Sequence, residues 1–285
     1  MRVLVLGVTG MLGNAVFRVF GADSAYETWG TLRSHNALHY FPQNSHAFLA
    51  GGVDVLDQDT LVSVLGKVRP DVVINCVGLI KQLADAKDPL TALPINAMLP
   101  HRLARLCALS GARLIHVSTD CVFSGRKGGY QESDLSDAED LYGKSKYIGE
   151  IHDFSCAITL RTSIIGHELS SNHALVDWFL SQEGAVRGFS KAIFSGLPTV
   201  ELARVMKDFV IPHPALSGLY HVAAAPIAKL ELLQLVASRY GKKVEIRPDD
   251  ALIIDRSLDG SRFREATGYI APDWPDLIRG MHADR

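Results

Sequence analysis

The sequence is short of cysteine, of net charge and of long apolar runs. Its four cysteines, Cys76, Cys107, Cys121 and Cys156, are scattered singly. None has a metal-ligand spacing, and three lie in apolar or strand-like surroundings. That pattern excludes a disulfide framework and fits reduced thiols in a cytoplasmic protein. Lys and Arg total 29 against 31 Asp and Glu, a formal net charge of -2. There is no general electrostatic case for nucleic acid or a membrane surface. No apolar stretch approaches the roughly 18 residues of a membrane span. The opening run Val3 to Leu6 stops at Gly7, too short for a signal peptide. Internal repeats, low-complexity tracts and Pro/Ser linkers are also missing. What is present is 285 residues, 47% hydrophobic and 21% charged. This is enough apolar chain for a sizeable core, in one large domain or two tightly joined ones.

The first half alternates short apolar runs with amphipathic stretches. Strands are expected at Val3 to Leu6, Thr28 to Leu32, Asp71 to Asn75, Arg113 to Ser118 and Cys156 to Leu160. Helices are expected at Met11 to Phe20, Pro94 to Ser110 and Tyr142 to His152, while residues 34–52 have no clear period and read as a long loop or insertion. The alternation implies an α/β fold with a doubly wound parallel sheet, covered on both faces. After Gly166 the pattern changes to helices at 173–182, 199–210 and 227–240, then irregular Pro-containing pieces. A smaller C-terminal α+β domain is therefore expected over 166–285, with 1–165, and part of 190–222, forming the first. Trp178 and Phe179 fall at core spacing with Leu175.

Gly7-Val8-Thr9-Gly10-Met11-Leu12-Gly13 is G-x-x-G-x-x-G between a strand and a helix. The first glycine permits the tight turn, the second lets backbone approach a pyrophosphate, and the third allows close packing. Phosphates then meet free N–H groups at the helix N-terminus. A dinucleotide cofactor held by Gly7, Thr9, Gly10, Met11, Leu12 and Gly13 is expected. After the second strand comes Arg33, with no acid nearby. An arginine suits a 2′-phosphate, which favours NADPH and leaves NADH open. Asp54 and Val55 lie where an adenine contact or a plain surface turn would fall. Cys76, Val77 and Gly78 end a strand on the expected nicotinamide side.

Tyr142 and Lys146 are four residues apart, on one helix face. Alone this is a weak signal. Thr119, however, closes a strand at its carboxyl end, where open α/β sheets bind ligands. A ketone that accepts a hydride becomes an alkoxide and needs a proton. A phenol with an ordinary pKa near 10 is poorly matched to neutral pH. A lysine cation about 4 Å away could lower that pKa by up to about three. The Thr119 hydroxyl could fix the substrate oxygen.

Together these features resemble the extended short-chain dehydrogenase/reductases, and within them the dTDP-4-dehydrorhamnose reductases and their sugar-nucleotide relatives. The likeness runs through Ser118-Thr119-Asp120-Cys121-Val122-Phe123-Ser124-Gly125, Tyr130-x-Glu132-x-Asp134 and Tyr142-Gly143-Lys144-Ser145-Lys146-x-x-Gly149-Glu150. It continues in Leu160-Arg161-Thr162-Ser163, Gly196-Leu197-Pro198-Thr199, Gly218-Leu219-Tyr220-His221 and Pro272-Asp273-Trp274. The resemblance implies a Rossmann core, NADPH, and reduction of the C4 ketone of a nucleotide-linked 4-keto-6-deoxysugar for polysaccharide biosynthesis. It makes Thr119, Tyr142 and Lys146 the catalytic trio, with Tyr142 and Lys146 also touching the cofactor. A nucleotide-sugar is the partner it implies, and a homodimer is left open. Cys121 stands where relatives carry tyrosine, Ile164 and Ile165 where an aromatic pair is usual, and Met11 where glutamine is common. Since Thr119, Asp120, Cys121, Ile164 and Arg256 are the candidate substrate contacts, the departures imply a sugar other than rhamnose, on UDP or dTDP.

Rival readings stay in view. An epimerase would hold NAD tightly, and a dehydratase of this superfamily shows Thr-Asp-Glu where this chain has Thr119-Asp120-Cys121. The resemblance also includes a regulatory partner of methionine adenosyltransferase, so a non-catalytic subunit is a third. Asn96 resembles a buried helix asparagine of the family, structural or part of a proton relay. Arg256 and Arg262 are candidates for the substrate diphosphate or plain surface residues. Cys121 reads as a pocket wall. His35, His39 and His46 lie in an irregular stretch without nearby acids or thiols, so no metal site is expected.

Overall fold

Strand β1 (Arg2–Leu6) is apolar on both sides, and its alternate residues feed two separate cores. Val3 and Val5 join one cluster, Leu4 and Leu6 the other. Such a strand is buried on both faces, as in a parallel sheet sandwiched by helices. The structure, a computed structural model, describes residues 1–80 and 87–285. In chain order, β1 leads to α1 (Met11–Gly21), β2 (Glu27–Leu32), β3 (Leu49–Gly51), α2 (Gln58–Val68) and β4 (Val72–Asn75). Next come α3 (Pro89–Ala92), α4 (Leu99–Ser110), β5 (Arg113–Thr119), α5 (Leu141–Ile148), β6 (Ala157–Thr162) and β7 (Ile164–Ile165). The rest comprises α6 (Leu175–Ser181), β8 (Ala185–Phe189), β9 (Ala192–Phe194), β10 (Leu197–Pro198), α7 (Thr199–Val205), β11 (Gly218–His221) and β12 (Ile227–Ala228). It ends with α8 (Lys229–Tyr240), β13 (Glu245–Asp249), β14 (Ile254–Asp255), α9 (Ser261–Thr267) and α10 (Trp274–Ala283).

The main sheet has seven strands in the order β11-β6-β5-β4-β1-β2-β3, and every pairing is parallel. The order reverses beside β1, so the ends of β1 and β4 diverge into a crevice. This is the Rossmann arrangement, with ligand space above the carboxyl ends. Helices α1 and α7 cover one face, α2 and α4 the other. The C-terminal strands form small sheets, β12-β9-β14, β13-β8 and the pair β10-β7.

Four local expectations change. Residues 34–52 are not all loop: two 3-10 turns, His35–Tyr40 and Gln43–Phe48, lead into edge strand β3. Three residues are too few to show a period, and the segment is anchored instead by Phe41, edge-on to Phe17. The helix expected from Pro94 starts with a wide π-turn, Leu93–Met98. Pro89, Pro94 and Pro100 supply no amide donors there. The helix at Tyr142 ends at Ile148, not His152, with Gly149 as its C-cap, packed so closely on Asn96 that an added Cβ would lie under 3.0 Å from the Asn96 carbonyl oxygen. Trp178 is 37% exposed, whereas Phe179 is fully buried. The short helix α6 buries Val176 and Phe179 and packs Leu175 and Leu180 partly against the same core.

Candidate active site

The glycine turn has a geometry that suits a phosphate. Gly7 adopts φ +80°, and a Cβ on Gly13 would lie under 3.0 Å from the Gly7 carbonyl. No residue with a side chain could bring α1 this close to β1. Gly10 precedes α1, which has neither a side-chain N-cap nor an acid in its first turn. The first amides of an eleven-residue helix are thus left without side-chain acceptors, the condition that suits an anion. Thr9 is exposed at the turn and Leu12 buried beneath it. Met11 faces Gly166, where an added Cβ would meet its Cγ at 3.3 Å.

Arg33 is exposed just past β2, and among the described residues no ion pair or hydrogen bond holds it. Asp54 is exposed and accepts from the Leu56 amide at 2.9 Å, while half-buried Val55 packs on the core. Asn75 closes β4 by accepting from the Val77 amide at 3.1 Å. Cys76 and Val77 are half-buried and Gly78 exposed. An added Cβ on Gly78 would lie 3.9 Å from Lys146 Nζ, so this turn borders the lysine. Burial pushes the Cys76 thiol up to about 12, with Lys146 opposing.

Thr119 ends β5. Its hydroxyl accepts from the Cys121 amide at 3.1 Å and donates to Asp120 Oδ1 at 3.2 Å. Helix α5 is capped by Asp140, which accepts from the Gly143 amide at 2.8 Å. The Tyr142 phenol lies beside the Thr119 hydroxyl, which works to lower its pKa. Lys146 is buried one turn on, and its Nζ donates to the Val117 carbonyl at 2.8 Å. The structure therefore brings Thr119, Tyr142 and Lys146 together above the strand ends.

The electrostatics differ from the expectation. Tyr142 is pushed up, mainly by burial and then by nearby Cys121 and Asp120. Lys146 does not draw it down, because its ammonium is turned onto the Val117 carbonyl. Lys146 is itself lowered to about 8 by burial, with Glu150 and Cys76 opposing. The phenol is thus a proton donor at neutral pH and not a phenolate.

Around the trio, Asp120 is buried and raised, with Arg256, Cys121, Thr119 and Ser163 opposing that rise. Burial and Asp120 push Cys121 up to about 12, which makes it an inert wall rather than a nucleophile. Arg256 Nε donates to the Phe123 carbonyl at 2.7 Å, and among the described residues no hydrogen bond holds its terminal nitrogens. Ile164 is half-buried and follows Ser163 into β7. Arg262 is not gathered with them; it stacks over Tyr220 at 4.7 Å. Asn96 Nδ2 donates to Ser145 Oγ at 3.2 Å, and its Oδ1 accepts from the Leu79 amide at 2.9 Å.

A cavity of about 1020 Å³ lies elsewhere, between the outer side of α1 and residues 40–48, and none of the trio lines it. Among the described residues no group of three His, Cys, Asp or Glu could hold a metal. His46 is spent on the Leu38 and Phe41 carbonyls. Among the described residues no helix is long and apolar enough to cross a membrane. Sequence reasoning missed one polar cluster, the buried Arg161–Glu150 ion pair with Ser118 and His221. Its only local signal is an arginine and a histidine inside otherwise apolar strands.

Residues 1–252 match the family described as the RmlD substrate binding domain. Methionine adenosyltransferase 2 subunit beta of Danio rerio is 30% identical over 253 residues, covering 84% of this chain and 74% of that protein. The Bos taurus protein of the same name is matched over only 41% of its length. The probable low-salt glycan biosynthesis reductase Agl14 of Haloferax volcanii is 27% identical over 269 residues, 90% of this chain and 84% of that one. The dTDP-4-dehydrorhamnose reductase of Bacillus anthracis, solved with NADP, superposes with a TM-score of 0.79 at 22% identity, covering 100% of this chain and 99% of that one. This chain therefore belongs to the RmlD substrate binding domain family, within the extended short-chain dehydrogenase/reductase-like NAD(P)-dependent oxidoreductases.

Proposed function

We propose that the protein reduces the C4 ketone of a nucleotide-linked 4-keto-6-deoxysugar with NADPH, in deoxysugar or surface-polysaccharide biosynthesis. The observation that carries this reading is the Tyr142 phenol beside the Thr119 hydroxyl at the end of β5, with buried Lys146 one turn on. On this reading residues 1–165, with part of 190–222, hold the coenzyme, and 166–285 mainly the sugar. The uncapped start of α1 and the open glycine at position 10 fit a pyrophosphate. Arg33, with no ion pair among the described residues, suits a 2′-phosphate and favours NADPH over NADH. When bound, the coenzyme supplies the hydride.

The chain's own residues manage the proton. The Thr119 hydroxyl orients the ketone oxygen, and Tyr142, held protonated by burial, delivers its proton as the alkoxide forms. Lys146 keeps a positive charge beneath, with donors left over from Val117 for a ribose hydroxyl. That charge offsets the one developing on Tyr142. Cys121 and Ile164 give the sugar an apolar border where relatives present aromatic groups, which supports a deoxysugar other than the rhamnose precursor, on UDP or dTDP. Arg256, whose terminal nitrogens have no hydrogen-bond partner among the described residues, suits the diphosphate.

The test is NADPH oxidation with a panel of 4-keto-6-deoxysugar nucleotides. Tyr142→Phe should lose most of the turnover while still binding coenzyme, and normal turnover in that variant would overturn the mechanism. The likeness to methionine adenosyltransferase subunit beta favours a second reading, a coenzyme-holding subunit of another enzyme. Copurification with such an enzyme, and inertness on every keto-sugar, would select it.

A further inference from the structure

We propose that Glu150 is a positioning residue: it sets the register of α5 on β5 and thereby the placement of Tyr142 and Lys146 against Thr119. The inference rests on the reductase reading for its activity readout. Tyr142, Lys146 and Glu150 recur every four residues, so they form one stripe along α5 and just past its end. That stripe meets three consecutive residues of β5. The Tyr142 phenol lies beside the Thr119 hydroxyl, Lys146 Nζ donates to the Val117 carbonyl at 2.8 Å, and Glu150 Oε1 accepts from Ser118 Oγ at 2.6 Å. Thr119 orients substrate in the proposed reaction, so the register of this ladder decides where the proton donor stands.

Of the three rungs, Glu150 is the one anchored from elsewhere. Its carboxylate accepts from Arg161 Nε at 2.8 Å and from Arg161 Nη2 at 2.5 Å. Glu150 and Arg161 are 2% and 1% exposed. Arg161 Nη1 donates to His221 Nε2 at 2.9 Å. That bond places the imidazole proton on Nδ1, which donates to the Tyr130 carbonyl at 3.0 Å. Burial and Arg161 push His221 down to about 3, so it stays neutral and keeps this tautomer. The guanidinium also lies over the Phe123 ring at 4.9 Å. Strands β5, β6 and β11 thus fix one carboxylate, and it fixes the end of the helix that carries the phenol and the ammonium.

Glu150 also acts through charge. The groups facing Lys146 are Glu150 just past the end of its helix, Cys76 after β4, and His116 with the Val117 carbonyl on β5. His116 is buried and held neutral, so Glu150 is the carboxylate that favours the lysine cation.

The test compares Glu150→Gln with the milder Ser118→Ala, which leaves the Arg161 pair in place should the first variant not fold. Glu150→Gln should lower kcat about 10- to 100-fold, with KM and NADPH Kd changed less than about threefold. Its alkaline fall in activity should move below that of the unaltered protein. Ser118→Ala should lower kcat about tenfold without moving that limb. Both variants within about twofold of normal kcat well below their Tm would overturn the proposal, as would losses confined to KM. A readout free of turnover is the Lys146 titration in 13C-lysine-labelled protein, its Cε signal assigned by its loss in Lys146→Arg. Glu150→Gln should shift this titration to lower pH, and an unmoved titration overturns the proposal. If the unaltered protein is inert on every keto-sugar, the reductase reading fails, and the titration then decides the placement of Glu150.

Discussion

Gly143→Ala sets two well-separated effects against each other. Gly143 lies between Tyr142 and Lys146 inside α5, where alanine in place of glycine ordinarily stabilises a helix by about 1 kcal/mol. Here an added Cβ would sit 2.7 Å from Ala138 Cβ and nearer still to the Cys121 carbonyl oxygen. Going from 2.7 Å to the 3.4 Å where ordinary contact begins means a parting of about 0.7 Å, and more from the carbonyl. The Cys121 side of the contact is backbone and cannot rotate away. Overpacking of this kind costs about 1–3 kcal/mol, which exceeds the propensity gain. The net effect is a loss of up to about 2 kcal/mol, or roughly 4–8 °C in Tm for a chain of this size. The catalytic consequence is larger. The displaced element carries the phenol, and the fixed one follows directly from Thr119, so the phenol moves from the Thr119 hydroxyl by a similar amount. Misplacement approaching 1 Å costs about 100-fold in turnover, and coenzyme affinity should change little. Thermal unfolding, NADPH oxidation and NADPH binding measure the three quantities separately. A rise in Tm with turnover intact would refute the reasoning, since it would mean that α5 and the 120–122 turn are not in hard contact.

Two further perturbations bear on the charges. Lys146 has a folded pKa of about 8 against an ordinary 10.5. Between those values the unfolded chain binds more protons than the folded one, so stability should rise with pH from about 8, by up to about 3 kcal/mol at 10.5. Activity should fall over the same range as the cation beneath Tyr142 is lost; parallel pH dependence of the two, or the same stability rise in Lys146→Met by chemical denaturation, would contradict the assignment. Arg33→Ala should raise the KM for NADPH about tenfold or more and leave that for NADH nearly unchanged. An equal effect on both coenzymes would remove the 2′-phosphate role.

The parts of the molecule open to sequence reading are those with a local period or an unusual turn. Val3 to Leu6 is apolar at every position, and only a strand buried on both faces requires that, so the parallel sheet follows from a few such runs. The four-residue spacing of Tyr142 and Lys146 likewise places both on one side of α5 before any coordinates exist. The spacing does not say where a flexible lysine ends. Its four-carbon stem reaches back to the Val117 carbonyl, so burial, with Cys121 and Asp120 nearby, keeps the phenol protonated where a phenolate was expected. Edge strand β3 is hidden because three residues carry no period, and because aromatic packing on α1 and β2 fixes the preceding turns. The ion pair of Arg161 and Glu150 is hidden for a different reason. Its members stand 11 residues apart and their neighbour His221 a further 60, on strands that meet only when the sheet is assembled. Taken singly, each is a polar residue misplaced in an apolar strand or at a helix end. Burying either charge alone would cost several kcal/mol, so their occurrence in buried positions is itself a statement that a partner exists. A buried charge in a strand therefore predicts its counter-charge, though not the address, and here the address lies one helical turn from Lys146.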